Sequence, residues 1–562
     1  MIHLAKRSIP PVSSGIAPRA TGPAFSNFTF SISFVKFRIR TFHVRPFPSD
    51  DKDSRVTQPN RYDLLVVGGG INGAGIARDA AGRGLSVLLC EQDDLASHTS
   101  SSSTKLIHGG LRYLEYNEFG LVRKALQERE TLLRAAPHIM WPLRFVMPHM
   151  PNLRPAWLIR IGLFLYDHLA KRELLPGSRG IDMRRHAAGR PLIDSIKRGF
   201  VYSDGWVDDA RLVVLNALDA KERGAEILTR TKLVSAERRG DEWEARLQHA
   251  DGSIRVVHAR AVANAAGPWV GDVLHGALGR GAQHSVRLVK GSHIITRRLF
   301  EHDHAYIFQN PDKRIIFAIP YEHDFTLIGT TDVEYTNDPA KVAIDRDETQ
   351  YLCDSINRYF KRKISPADVH WTYSGVRPLL EDENAANASA VTRDYRLEMD
   401  DGAGAPLLSV FGGKITTFRK LAEEAGDLLC RALGRDATTW TAGAPLPGGD
   451  IANAKFDVFA GAFAKRHPWL PAALARRYAR AYGTRAERVV DGAQSLADLG
   501  TEIAPGIHDA ELRYLRDVEW ATCAQDVLWR RSKLGLHVEP GSLDAVTAAV
   551  DAWFAAAHAP HA

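Results

Sequence analysis

The sequence predicts an α/β protein with a nucleotide-binding domain on a parallel sheet, an antiparallel sheet domain inserted into it, and a helical C-terminal domain. Three observations predict it. The stretch from Tyr62 to Glu91, YDLLVVGGGINGAGIARDAAGRGLSVLLCE, reads as strand, glycine turn, helix, strand and acidic residue. Residues 285 to 400 hold short alternating runs such as VRLVKGSHIITRR, RIIFAIPY and FTLIGTTD, the texture of an antiparallel sheet. From Phe456 to the C-terminus the apolar residues recur at helical period, with Leu512, Leu515 and Val518 on one amphipathic segment.

Residues 1 to 59 read as a disordered basic leader. Residues 1 to 49 hold Lys6, Arg7, Arg19, Lys36, Arg38, Arg40 and Arg45 and no acid, so the formal charge of +7 belongs to that stretch and the remainder is near neutral. That distribution argues against a nucleic-acid partner. An organellar transit segment and an unstructured extension both fit the composition. The body, in a chain 45% hydrophobic and 25% charged, is an ordinary globular composition with room for two or three domains. Cys90, Cys353, Cys430 and Cys523 lie far apart, which predicts a reducing compartment and no structural metal.

In the first unit, Leu64 to Val67 lack an alternating polar face, as a central parallel strand covered on both sides would. Gly68, Gly70 and Gly73 have the spacing G-x-G-x-x-G. Gly68 allows a tight turn, Gly70 lets the backbone approach a pyrophosphate, and Gly73 lets the helix pack close to the sheet. The helix N-terminus then offers free N–H groups to phosphates. Glu91 lies where a carboxylate accepts the hydroxyls of an adenosine ribose. This motif does not separate NAD from FAD.

Next comes a hydroxyl-rich loop, Ser100 to Thr104, leading into Lys105, Leu106, Ile107, His108, Gly109, Gly110, Leu111, Arg112 and Tyr113. Hydroxyls, amides and glycines in one loop predict contact with a polar ligand. Met140 to Gly177 is rich in proline and arginine, and RPAWLIRIGLFLYDHLAKR within it has an apolar face with cationic ends. A buried helix and a helix resting in a bilayer interface both fit it. Phe200 onward reads as a strand, a helix from about Asp208 to Arg223 and a strand from Glu226, followed by a β-meander around Trp243 and Ile254. The strand ending in Ala-Gly-Pro-Trp at Gly267 brings backbone close to a ligand. Leu407 to Arg419 resumes strand, double glycine and helix and rejoins the nucleotide domain, so that the oxidoreductase region spans 60 to 435. The prolines and glycines at 445 to 449 mark a linker, and 445 to 562 is the C-terminal domain.

Taken together, the glycine unit, TSSSSTKLIHGGLRYLE, RPAWLIRIGLFLYDHL, YSDGWVDDARL, KGSHI, IGTTDVEY, WTYSGVRPL, TRDY and SVFGGKITTFRKLAE resemble the FAD-dependent glycerol-3-phosphate dehydrogenases of bacterial respiratory membranes. The resemblance runs from about residue 60 to at least 540 and leaves the leader without a counterpart. It implies FAD in a split Rossmann-like domain of the D-amino-acid-oxidase type, with an inserted antiparallel substrate domain. It also implies oxidation of sn-glycerol 3-phosphate to dihydroxyacetone phosphate, with electrons passed to a membrane quinone. A peripheral location on the cytoplasmic face of the inner membrane follows, or a mitochondrial one if the leader is a transit peptide; a homodimer is admitted. An oxidase using oxygen, or a flavin-bound interaction protein without turnover, are the alternatives.

The resemblance places Arg112, Arg377 and Arg393 at the substrate phosphate, which guanidinium forks suit, with Tyr113 beside them. His293 is the group beside the reacting hydroxyl, because neutral imidazole can accept its proton, and with Arg377 it makes up the catalytic pair. Ser102, Ser103, Thr104, His108 and Gly267 belong to the cofactor. Lys414 and Thr416 sit against the flavin's pyrimidine end, where a cation tunes its potential.

Overall fold

In a computed structural model of the chain, the described residues are 60–558 except 151–153, 282–285, 313, 381–393 and 403. The expected leader and Arg393 lie outside them. Strand β1 (Arg61–Val67) buries Leu64, Leu65 and Val66 completely. It pairs in parallel with β2 (Val87–Cys90) on one side and with Ile254–Asn264 on the other. Across the sheet the order is Tyr395–Asp400, Leu407–Gly412, Ile254–Asn264, β1, β2, Glu226–Leu228. Helix α1 (Ile71–Gly82) lies on one face, between helices Asp209–Glu222 and Phe418–Ala432. Its alanines keep it thin, and a Cβ on Gly75 would come within 2.9 Å of the Phe418 ring. The nucleotide domain is thus split among 61–90, 209–264 and 395–432.

The antiparallel sheet reaches beyond the expected 285–400. Its strands also come from Leu106–Ile107, Met140–His149, Arg179–Asp182 and Arg198–Val207, while Tyr395–Asp400 pairs with Leu407–Gly412 in the other sheet. Met140–His149 escapes a sequence reading because Pro142 and Pro148 punctuate it. Each proline stands opposite a glycine, Gly205 and Gly199, in an unbroken ten-residue register, and such a strand does not look like one from propensity alone. The long pair Val286–Arg297 and Val369–Leu380 sets His293 opposite Tyr373 and Gly291 opposite Gly375.

Helices Phe456–Arg466, Ala472–Tyr482, Asp509–Glu519 and Leu543–His558 enclose a second core. Where this domain meets the first, Arg211 makes a buried bidentate pair with Glu519. His138 is buried beside Arg211 and Arg480, and neither ring nitrogen has a partner. Burial, with the two guanidiniums, pushes it down to about 3. An imidazole that stays neutral when folded and takes a proton at 6.5 when unfolded contributes stability above pH 6.5. That contribution is lost as pH falls toward 3, at about 1.4 kcal/mol per unit. His138→Phe is therefore expected to reduce the loss of stability between pH 6.5 and 5 by about 2 kcal/mol, read from denaturant midpoints. Parallel curves for the two proteins would contradict this.

Candidate active site

One cleft of about 390 Å³ runs between the two sheets, in the range of small-molecule sites. At one end it is lined by the glycine turn. Gly68 has a φ of +109°, and a Cβ there would meet the Ala265 carbonyl at 2.6 Å. Gly70 lines the cleft and begins α1 with no side chain over the helix end; Ser100 Oγ accepts from the Ile71 amide at 3.0 Å. Gly73 is not at the cleft surface. A Cβ there would lie 1.9 Å from the Gly68 carbonyl oxygen, so this glycine sets the helix against the turn. Glu91 lines the cleft with its carboxylate held by the amides of Gly69 at 2.6 Å and Asp93 at 2.9 Å. Burial raises its pKa.

Ser102, Ser103, Thr104 and His108 form the next part of the wall, and Gly267 lines it from the far side with a φ of +58°. What shapes the hydroxyl loop is a pair that the sequence reading passed over. Lys105 is buried, with its Nζ donating to Asp209 Oδ1 at 2.8 Å and to the Ser101 carbonyl at 3.0 Å. Asp209 Oδ2 in turn accepts from the Ser103 hydroxyl at 2.7 Å and its amide at 3.1 Å. The signal was the doublet Asp208-Asp209 at a helix start. Asp208 accepts from the Arg211 amide as the cap, which leaves Asp209 for another task.

At the other end stand His293, Arg377, Tyr113, Lys414 and Thr416. The His293 ring stacks on Tyr373 at 4.7 Å, its Nε2 shares a hydrogen bond of 2.9 Å with Thr104 Oγ1, and its buried Nδ1 has no partner. Gly329 makes room for it, since a Cβ there would lie 2.1 Å from Cδ2. Burial, then the charges of Lys105 and Arg377, hold its pKa well below 6.5. Arg377 Nη2 donates to the Thr331 carbonyl at 2.9 Å and pairs with Asp332 at 2.6 Å. Lys414 Nζ lies 4.0 Å from the Tyr113 ring centre, and Thr416 Oγ1 accepts from the His108 amide at 3.3 Å. Arg112 is the exception among the described substrate candidates. It does not line the cleft, and its guanidinium lies over Tyr116 at 5.9 Å. The turn Leu111–Tyr116 is a 3-10 helix, whose three residues per turn send neighbours Arg112 and Tyr113 to different sides.

The polar groups of the cleft fit a dinucleotide. An open helix end, a buried carboxylate about 20 residues beyond the turn, and two buried polar atoms without partners, Asn72 Oδ1 and His293 Nδ1, all sit on residues of this one cleft.

Residues 63–419 match the family described as FAD dependent oxidoreductase, and 439–556 match the C-terminal domain of alpha-glycerophosphate oxidase. The chain is 56% identical over 480 residues to a glycerol-3-phosphate dehydrogenase of Pseudomonas aeruginosa, covering 85% of this chain and 93% of that one. It is 54% identical over 500 residues to the D-erythritol 1-phosphate dehydrogenase of Brucella abortus, covering 89% and 99%. Among solved structures, a glycerol-3-phosphate dehydrogenase from Bacillus halodurans complexed with FAD superposes with a TM-score of 0.72. It is 27% identical, over 89% of this chain and 91% of that one.

Proposed function

Because the chain belongs to the FAD-dependent oxidoreductase family that includes the glycerol-3-phosphate dehydrogenases, we propose that it oxidises sn-glycerol 3-phosphate to dihydroxyacetone phosphate. Its cofactor is FAD. The observation that carries the reading is the meeting, at one end of the dinucleotide cleft, of a guanidinium suited to phosphate and a neutral imidazole with an unpartnered nitrogen.

Bound FAD supplies the acceptor for the hydride that leaves the secondary carbon. Arg377, with Tyr113 at the same end of the cleft, receives the phosphate, Arg393 from outside the described residues is the second proposed clamp, and Lys414 stands against the pyrimidine end of the flavin. The phosphate competes with Asp332 for the Arg377 guanidinium. His293 stands beside the reacting hydroxyl and takes its proton on Nδ1, with Nε2–H donated to Thr104 Oγ1. An imidazole held this far below its usual pKa is a weak base, so it takes the proton as the C–H bond breaks, when the hydroxyl turns strongly acidic. Phosphate bound at Arg377 offsets one of the two charges that depress the imidazole, so substrate capture strengthens the base. The hydroxyls of Ser102, Ser103 and Thr104, the His108 loop, and the backbone at Gly267 and Thr416 position the cofactor.

Arg377→Ala should lose one or more charge-assisted bonds of about 1.5 to 3 kcal/mol, roughly 10- to 100-fold in kcat/KM. Native efficiency with native flavin content would remove Arg377 from the phosphate site. The whole reading is tested by the anaerobic visible spectrum, in which sn-glycerol 3-phosphate should bleach the flavin band within seconds. A band left untouched would sink it. A second substrate is favoured by the 54% identity to a D-erythritol 1-phosphate dehydrogenase across 99% of that protein. Both substrates present an alcohol and a phosphate ester, and the faster bleaching decides between them.

The electron acceptor proposed is a quinone, reached from a bilayer surface. Among the described residues no helix is long and apolar enough to cross a membrane. Helix Ala156–His168, however, exposes Trp157 (65%), Ile161 (49%) and Phe164 (53%) on one face, while Leu163 and Tyr166 turn inward. The turn Leu111–Tyr116 packs against this helix, adding exposed Tyr116 to the patch while Tyr113 lines the cleft. An exposed apolar helix face packed against a turn whose Tyr113 lines the cleft supports a membrane contact. Phe164→Glu is expected to cut co-sedimentation with phospholipid vesicles by about 10-fold, from the loss of roughly 1.5 kcal/mol or more of apolar burial. Unchanged pelleting would remove the helix from the interface.

A further inference from the structure

The segment of the C-terminal domain from Asp526 to His537 touches the walls of the cleft from behind without lining it. Residues Asp526–Arg531 are wound as a π-helix, a form that recurs at functional positions. Arg530 and Arg531 both reach Asp94. Arg530 Nε donates to its Oδ2 at 2.6 Å, Arg531 Nη2 donates to Oδ1 at 2.8 Å, and Arg531 Nη1 reaches Oδ2 as well. Asp526 carries Arg530 on one oxygen and Arg230 on the other, the latter at 2.7 Å. Asp94, Asp526, Arg530 and Arg531 are all buried.

Asp94 belongs to the loop that makes the adenosine end of the cleft. Glu91, Gln92, Ala96, Ser97 and His98 line that end, and Ser97 Oγ accepts from the Asp94 amide at 3.1 Å. Three more contacts grip the flavin end. Lys533 Nζ lies 3.4 Å from Asp208, neighbour of the Asp209 that holds Ser103 and Lys105. The Leu536 carbonyl accepts from His370 Nε2 at 2.9 Å and Trp529 stacks on Trp371 at 4.0 Å, both on the strand that continues to Tyr373 and Arg377.

We propose that this segment is a strap for the cofactor, in which Arg530 and Arg531 hold Asp94 and so keep the Glu91–His98 loop in its FAD-binding form. The inference rests on FAD as the cofactor and goes beyond it by naming Asp94, Arg530 and Arg531 as positioning residues. The physical ground is that a buried carboxylate loses its compensation when one of its arginines is removed. Asp94 then turns toward water and the loop moves with it, opening the ribose site. Linkage makes the effect reciprocal: a strap that strengthens FAD binding must itself be strengthened by FAD.

The unmodified protein supplies one test. Hydrogen exchange of the native holoprotein is compared with that of protein reversibly stripped of flavin. FAD is expected to slow amide exchange across 526–537 at least 10-fold, although none of these residues lines the cleft. Protection confined to the cleft-lining segments overturns the proposal. In a second test, Arg530→Met should release FAD at least 10-fold faster than native protein, followed by the fluorescence of free flavin, with Arg530→Lys recovering most of the retention. Arg485→Met provides the comparison, because it breaks a different bond between the same domains, the pair with Glu222 at 2.7 Å. Equal release from the Arg530→Met and Arg485→Met proteins would mean that general domain adhesion is at work and would overturn the strap. A native protein that purifies with no flavin band would instead fail the cofactor reading itself.

Discussion

Gly73→Ala is expected to yield a folded protein that has lost its FAD. The added Cβ would stand 1.9 Å from the carbonyl oxygen of Gly68 and 3.4 Å from the Ala265 side chain, and the first of these contacts is with backbone that cannot rotate away. Either α1 moves off β1 or the turn opens, and both displace the helix end from the phosphates. Overpacking of this kind costs about 3 kcal/mol or more, roughly a hundredfold in FAD affinity. The measurement is the ratio of flavin to protein absorbance after purification and then on titration with FAD. Gly162→Ala, on a helix where a Cβ meets nothing within 4 Å, is the matched control and should keep full flavin. Stoichiometric FAD in Gly73→Ala would mean that the turn adapts, and the close-packing account would fail.

The second large effect is at His293. His293→Asn can keep a hydrogen bond to Thr104 but has no imidazole nitrogen to take a proton, so reduction of the flavin by substrate should slow by about 100- to 10,000-fold with FAD retained. In the native protein the imidazole is depressed by burial, Lys105 and Arg377, so its neutral form persists well below pH 6.5. Flavin reduction at saturating substrate should therefore stay flat from pH 8 to pH 6, losing rate only at lower pH as the ring finally protonates. A rate already halved at pH 6.5 would show an ordinary surface-like histidine, and a His293→Asn protein reduced at native speed would place the proton acceptor elsewhere.

How much of this was legible in the chain depends on how local each signal is. The glycine turn, β1, α1 and Glu91 lie within about thirty consecutive residues, the span of one strand–helix–strand unit, and could be read directly. The hydroxyl loop was legible as a ligand contact, but its internal frame was not, because Lys105 and Asp209 are distant in sequence and each looks like an ordinary charged residue. The strand Met140–His149 was hidden by its two prolines, whose glycine partners lie far along the chain at Gly199 and Gly205. Arg112 shows the limit of a motif: it identifies the neighbourhood, yet the 3-10 turn decides which of two adjacent side chains enters the cleft. The strap joins Asp94 to Arg530 and Arg531 from the far end of the chain, and no local pattern announces such a contact.

The way the parallel sheet is put together also bears on how the protein is made. Its central strands come from 61–67, 87–90, 254–264 and 407–412, so the sheet cannot close while a ribosome is still translating residue 400. Until then β1 has a partner on each side but the glycine turn faces an unfinished wall, since Gly412, Gly413 and Lys414 have yet to emerge. Such long-range pairing makes folding slow and leaves unpaired strand edges exposed for the duration. The wall of the cofactor cleft is accordingly expected to be complete only once residue 414 has left the ribosome, and until then the sheet edge beside Ile254–Asn264 stays open.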